Sequence, residues 1–182
     1  MAVPQPAQAG KANVAAQLIF STFQPHHTIP ICDLNRAHVQ KSPFAHLWQE
    51  GHNEIVRNIP EVFLEKKGDF LVASHIGQII GMGGIMGVVE KPVVDRKPRY
   101  EKTALLRKVR VHPEFWGLGI EAEIIGQLAI RARKLGYEWL RAKVSVDNEH
   151  MINILKENGF EHMDTEDKFG TQLLVFEKLI RV

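Results

Sequence analysis

The sequence predicts a mixed α/β domain built on one sheet, and three observations point there. Short β-branched or alternating runs recur at 16–23, 69–74, 79–89, 106–111, 137–146, 161–164 and 171–179. One stretch is plainly helical: Ile120, Ile124, Leu128 and Ala132 recur every four residues, with Ile125 and Leu135 widening the stripe. The resulting order is strand, two helical regions, three strands, helix, strand, helix, two strands, which fits neither an all-α nor an all-β chain.

Composition narrows the classes further. The 182 residues suffice for one well-buried core, and 45% apolar with 24% charged residues is ordinary for a globular protein. A net charge of +2 gives no electrostatic case for nucleic acid or an anionic membrane surface. Cys32 stands alone, so no internal disulfide forms, and a reducing, cytoplasmic setting is the default. No Cys/His or H-x-x-x-H spacing suggests a metal site. The longest apolar run, Ile79 to Val89, is too short to span a bilayer and is interrupted by four glycines, so it reads as a buried strand. Residues 1–13 lack the basic and apolar regions of a signal peptide and read as a disordered tail, leaving 14–182 as one domain.

Taken in order, Ala16 to Phe23 reads as the first strand. Thr28 to Lys41 and Pro43 to Leu64 read as helical regions, the second carrying Trp48 on its apolar side and kinked or ended early by Pro60. Asp69 to Ser74 and Ile79 to Val89 form a hairpin through His75-Ile76-Gly77-Gln78. A proline-bearing loop from Lys91 to Lys102 leads to the basic strand Leu106 to Val111. The amphipathic helix follows Gly119; Arg131, Arg133 and Lys134 suit its C-terminal dipole and Gly136 ends it. Tyr137 to Val146 alternates as a strand with Leu140, Ala142 and Val144 on one face. Asn148 to Asn158 is a short helix closed by Gly159, and a hairpin ends the chain.

The most informative stretch is Val111-His112-Pro113-Glu114-Phe115-Trp116-Gly117-Leu118-Gly119-Ile120-Glu121. Two close glycines between a strand and a helix let a ligand approach the backbone. The first-turn N–H groups there lack intrahelical acceptors and lie at the positive end of the helix dipole. Such a turn can hold a phosphate; glycines also serve ordinary turns.

Two separated segments resemble the GNAT acyltransferase superfamily. Val111, Pro113, Gly117 and Gly119 fall in its acyl-CoA signature, and Asn148, Gly159 and Phe160 match the block that follows the fifth strand. The resemblance covers about residues 14 to 182. It implies a GNAT-like fold: a central, mixed, mostly antiparallel sheet of about seven strands with four helices, splayed between the fourth and fifth strands. It also implies acetyl-CoA, or another acyl-CoA, as cofactor, and a small-molecule or peptide amine as acceptor; a homodimer is compatible with it. The cofactor-binding positions carried over are Val109, Arg110, Val111, Trp116, Gly117, Leu118, Gly119, Ile120, Glu121, Ala122 and Asn148.

Three positions depart from the family pattern. Trp116 stands where Arg or Gln helps hold the pyrophosphate, and an indole offers one donor instead of a cationic fork. Glu121 stands where the family has Gly or Ala. A carboxylate about 6 Å from one phosphate charge is repulsive by roughly 3 kcal/mol at an effective dielectric of about 20, and by under about 1 kcal/mol if well solvated. Alternatively Glu121 is a first-turn acid suited to an empty helix dipole. Leu155 replaces a Tyr that in many members protonates the leaving thiolate.

Other polar residues have a plain reading beside a functional one. Asn148 fits an N-cap and a cofactor contact alike. His26 and His27 are solvated loop histidines or acceptor-side bases; His112 is a strand-end residue. The acidic Glu161, Asp164, Glu166 and Asp167 form a solvated hairpin tip or a site for a cationic amine. The expected function is acyl-CoA-dependent N-acyl transfer to an amine. The alternatives are a GNAT-fold binding module that has lost transfer, and an unrelated phosphate-binding α/β protein.

Overall fold

The computed structural model describes residues 14, 17–42, 56–88, 101–168 and 170–181. The expected tail at 1–13, most of the 91–102 loop and the stretch 43–55 with Trp48 lie outside the described residues. Four α-helices are described: α1 (Thr28–Lys41), α2 (Ile59–Val62), α3 (Ile120–Lys134) and α4 (Glu149–Glu157). They accompany seven strands: β1 (Ile19–Thr22), β2 (Asp69–His75), β3 (Gln78–Gly87), β4 (Thr103–Val111), β5 (Trp139–Ser145), β6 (Glu161–Lys168) and β7 (Thr171–Leu179). The strands form one sheet in the order β1-β2-β3-β4-β5-β7-β6. Every pairing is antiparallel except β4–β5. That parallel pair needs a crossover, and α3 supplies it.

Two details differ from the sequence reading. Strand β6 runs to Lys168, past Asp164, because its charged side chains sit on an exposed edge strand paired with β7. The break in the second helical region falls at Asn58, outside helical geometry at φ −114°, ψ 44°. Pro60 then stands in the first turn of α2, where its missing N–H costs nothing, so it begins a helix.

Both faces of the sheet are covered. On one, Ile120, Ile124, Ile125, Leu128 and Ala132 of α3 and Ile152 and Leu155 of α4 join Leu140, Ala142, Val144 and Phe176 in one buried cluster. On the other, Ile31 and Leu34 of α1 and Ile59 of α2 pack with Phe63, Phe70, Val72 and Met82. The glycines of β3 make this two-sided approach possible. A Cβ on Gly83 would stand 2.8 Å from Ile124 Cγ2 of α3, and one on Gly84 would stand 2.6 Å from the rings of Phe63 and Phe70. The far end of α3 is anchored by Arg131, whose guanidinium donates to Asp69 Oδ2 at 2.6 Å and Thr22 Oγ1 at 2.7 Å.

The sheet opens where the site lies. The β4–β5 register runs from Thr103↔Trp139 to Leu106↔Ala142 and stops there. Beyond it, β4 stays bound to β3 (Met82↔Arg110, Gly81↔Val111) while β5 stays bound to β7 through Ser145. The two strands diverge into a wedge walled by main-chain edges.

Candidate cofactor site

A bulge shapes the β4 wall of the wedge. The β3–β4 register shifts between Met82 and Gly84, so Lys108 and Val109 together oppose Gly83, and Lys108 adopts φ 58°. Past the bulge, the His112 N–H donates to Ile80 O of β3 at 2.8 Å. In a trans peptide the carbonyl of residue 111 points opposite to that N–H, into the wedge. Strand alternation turns the main-chain groups of Val109 to the same side.

The Val111 carbonyl is already occupied. Trp116 Nε1–H donates to it at 2.9 Å, and His38 Nδ1 lies 3.0 Å from it. A carbonyl only accepts, so the His38 ring carries its proton on Nδ1. The two rings meet edge-to-face, centroids 5.5 Å apart at 79°. Burial above all holds the His38 pKa down at about 4; the Val111 hydrogen bond opposes this, and Arg110 and His150 add to the lowering. The imidazole is therefore neutral at physiological pH. Sequence reasoning passed over His38, although it continues the buried stripe Ile31, Leu34, Asn35 of α1. A histidine on an inward helical face was the available signal.

The turn after β4 has the expected phosphate-binding form. Pro113–Phe115 is a single 3-10 turn, and Gly117 and Gly119 both have φ +76° with nothing within 4 Å of the place a Cβ would take. Gly119 caps α3 without any side-chain hydrogen bond. The first main-chain bond into the helix is Glu123 N–H to Gly119 O at 3.2 Å, so the N–H groups of Ile120, Glu121 and Ala122 precede the helical ladder. Leu118 is half-buried against the core, and Ile120 is fully buried.

The Trp116 indole is turned inward on Val111 and His38, so this position offers a ligand no side-chain donor. The Glu121 carboxylate is buried, 4% exposed, and its Oε1 lies 3.6 Å from His150 Nε2 at the start of α4. Solvation cannot be what relieves it. Leu155 is 1% exposed within the α3–α4 core. Asn148 caps α4, its Oδ1 accepting the Met151 N–H at 3.1 Å, at the β5 side of the wedge.

Basic residues follow closely on β4 at Arg107, Lys108 and Arg110. Arg110 is buried and its pKa is lowered to about 9 by burial. Lys108 is lowered to about 6, by burial first and then by Arg110 and Arg107. Across β5–β7, Arg141 and Glu177 form a buried pair, Nε–Oε1 2.9 Å, and Lys143 Nζ meets Glu166 Oε2 at 2.8 Å. That last contact engages one member of the acidic hairpin with the protein itself. The alternation expected of β5 identified its apolar face but not the buried arginine on the other.

His26, His27 and His112 come together elsewhere. They line a cleft of about 840 Å³ with Ser74, Gln78 and Asp33 near the β2–β3 turn, and that lining takes no residue from β5 or the terminal hairpin. His112 Nδ1 accepts the Glu114 N–H at 3.5 Å, a strand-end role. Among the described residues, no group of three or more His, Cys, Asp or Glu could hold a metal ion, and no helix is long and apolar enough to cross a membrane.

Solved structures share this arrangement. An N-acetyltransferase from Staphylococcus aureus Mu50 superposes with TM-score 0.72 at 17% identity, covering 90% of this chain and 99% of that one. A proposed acetyltransferase from Salmonella typhimurium, solved with its cofactor acetyl-CoA, gives TM-score 0.72 at 16% identity over 91% and 95%. A ribosomal-protein-alanine N-acetyltransferase from Brucella melitensis gives 0.65 at 19% over 88% and 99%. At such identities these establish the fold. The sequence pattern of the acetyltransferase (GNAT) family matches residues 34–160, well over half of the chain, on the same strands and turn that build the wedge, and the chain belongs to that family.

Proposed function

We propose that this chain is an acyl-CoA-dependent N-acyltransferase, with acetyl-CoA as donor and a small-molecule or peptide amine as acceptor. The observation that carries this reading is the uncapped start of α3 opening onto the wedge between β4 and β5. The residues present fit the cofactor. Gly117 and Gly119 leave open space where side chains would stand, and the main-chain N–H groups from Gly117 through Ala122 would be the anion donors at this helix start. With Trp116 turned inward, the diphosphate is held by main chain alone.

Acetyl-CoA supplies the thioester whose acyl group moves to the amine. The chain supplies the frame. The edge of β4 at Val109, with the Val111 N–H, is free to pair with the pantetheine arm, whereas the Val111 carbonyl is not. Asn148 keeps its side-chain N–H₂ for the arm while its oxygen caps α4. A main-chain N–H of β4 serves as donor to the thioester carbonyl oxygen as charge develops on it. Holding amine and thioester together in the wedge supplies much of the rate.

A second reading keeps the fold and loses transfer: a CoA-binding module. It is favoured by the buried Glu121 carboxylate beside the turn and by a core leucine at 155. Calorimetric titration with acetyl-CoA and CoA, followed by thiol release over an amine panel, decides between them. Binding with turnover on at least one amine is expected. Binding without consumption by any amine favours the module, and no binding at all rejects both.

A further inference from the structure

The geometry points to His38 as a positioning residue of the cofactor site: by donating Nδ1–H to the Val111 carbonyl beside the Trp116 indole, it fixes the phosphate-binding turn in its working shape. This rests on the acyl-CoA reading above.

Trp116 immediately precedes Gly117, so the placement of its side chain sets how the chain enters the glycine turn. That indole is held on two sides. Its Nε1–H is bound to Val111 O at 2.9 Å, and the His38 ring abuts it edge-to-face at 5.5 Å. His38 completes the clamp by taking the second lone pair of the same carbonyl at 3.0 Å. The carbonyl projects into the wedge, so three elements, α1, β4 and the turn, meet on one oxygen. The ring is itself held in place, since Ile31 and Leu34 on the same face of α1 are buried at 0% and 2% exposure. Two consequences follow. The Val111 carbonyl has no lone pair left for an amide N–H of the pantetheine arm. The donor also persists across the physiological range, because the imidazole is already neutral there.

The test uses the full chain and two probes: CoA, and ADP, which keeps the diphosphate and lacks the arm. His38→Phe keeps a ring and removes the donor. It should weaken CoA and ADP by the same factor, roughly five- to tenfold, as expected for one neutral hydrogen bond. His38→Asn places an amide N–H near the Nδ1 position and should bind both within about twofold of the parent. His38→Gln, whose amide nitrogen falls nearer the Nε2 position, should behave like His38→Phe. Thermal melting of each variant separates this from loss of fold. Loss of CoA affinity with ADP unchanged, or a folded His38→Asn as weak as His38→Phe, overturns the proposal. A second arm needs no ligand. Nitrogen NMR of the free protein should show the His38 ring protonated on Nδ1 and not titrating between about pH 5 and pH 8. An Nε2-protonated ring overturns the proposal. A parent chain that binds neither probe sinks the acyl-CoA reading, and the NMR arm still judges the clamp.

Discussion

Two strand-to-helix junctions face each other across the wedge, and they solve the same problem differently. At β5–α4, Asn148 caps the helix with its own side chain, accepting the Met151 N–H at 3.1 Å. At β4–α3, Gly119 caps with no side chain at all and holds φ +76°. The reason lies in length and burial. Helix α4 has nine residues, too few to be stable from propensity alone, and satisfying a first-turn donor helps to hold it. Helix α3 has fifteen residues and a stripe buried from Ile120 to Ala132, enough packing to leave its first N–H groups unsatisfied. A helix start that satisfies itself has little to offer an anion; one held by its packing can leave its donors to a ligand.

The largest expected effect comes from breaking the uncapped junction. Nothing stands within 4 Å of a Cβ on Gly119, so substitution acts through the left-handed backbone and through intrusion on the ligand's space. Gly119→Val should lower CoA affinity by at least about a hundredfold, roughly 2.7 kcal/mol. It should also cost about 1–2 kcal/mol of stability, because a β-branched residue is strained at that φ. Parent-like CoA binding in calorimetry puts the phosphate site elsewhere.

The next effect concerns how α4 is held. Leu155 is 1% exposed between α3 and β5, so Leu155→Tyr has to make room for a ring and a hydroxyl in a filled core. A loss of about 1–3 kcal/mol is expected in denaturant unfolding. An unchanged midpoint means that the side chain turns into the wedge instead, where turnover should be measured.

How much of this was legible beforehand differs between the two junctions. Both were readable as junctions, because Gly-x-Gly and Asn at a strand end are local signals of turn and cap. The helix α1 was readable as a helical region with the same bounds, Thr28 to Lys41. The wedge itself came only through family resemblance, since the point where two strands part depends on register over residues far apart in sequence. The clamp on Val111 was not legible. It joins His38 to a carbonyl 73 positions away, and no local pattern reports that contact. The fates of Trp116 and Glu121 were likewise open, because sequence gives a side chain's chemistry but not the direction in which packing turns it.

A smaller effect tests the capped junction. Asn148→Ala leaves the Met151 N–H without its acceptor and should cost about 1 kcal/mol, with fraying confined to the first turn of α4. Asn148→Asp restores an acceptor and should recover that stability. Hydrogen exchange at Met151 reads both, and equal protection in all three proteins means that the cap contributes nothing measurable.

At Glu121 the expected effect is a gain of affinity instead of a loss, and its salt dependence carries the information. The carboxylate is 4% exposed, so water does little to screen it from an anion held at the same helix start. His150 Nε2 at 3.6 Å offsets part of its charge whenever that ring is protonated. Glu121→Ala should therefore tighten CoA binding by up to about tenfold, or roughly 1.4 kcal/mol, less than the full repulsion between two bare charges. An exposed carboxylate would lose this influence as ionic strength rises. A buried one is screened much less, so the gap between Glu121→Ala and the parent should largely survive from low to physiological salt. A gap that vanishes with salt places the carboxylate in solvent when the cofactor is bound. Parent and variant equal at every salt concentration would mean that Glu121 turns away from the phosphates and only supports α3, removing the main argument for an impaired site.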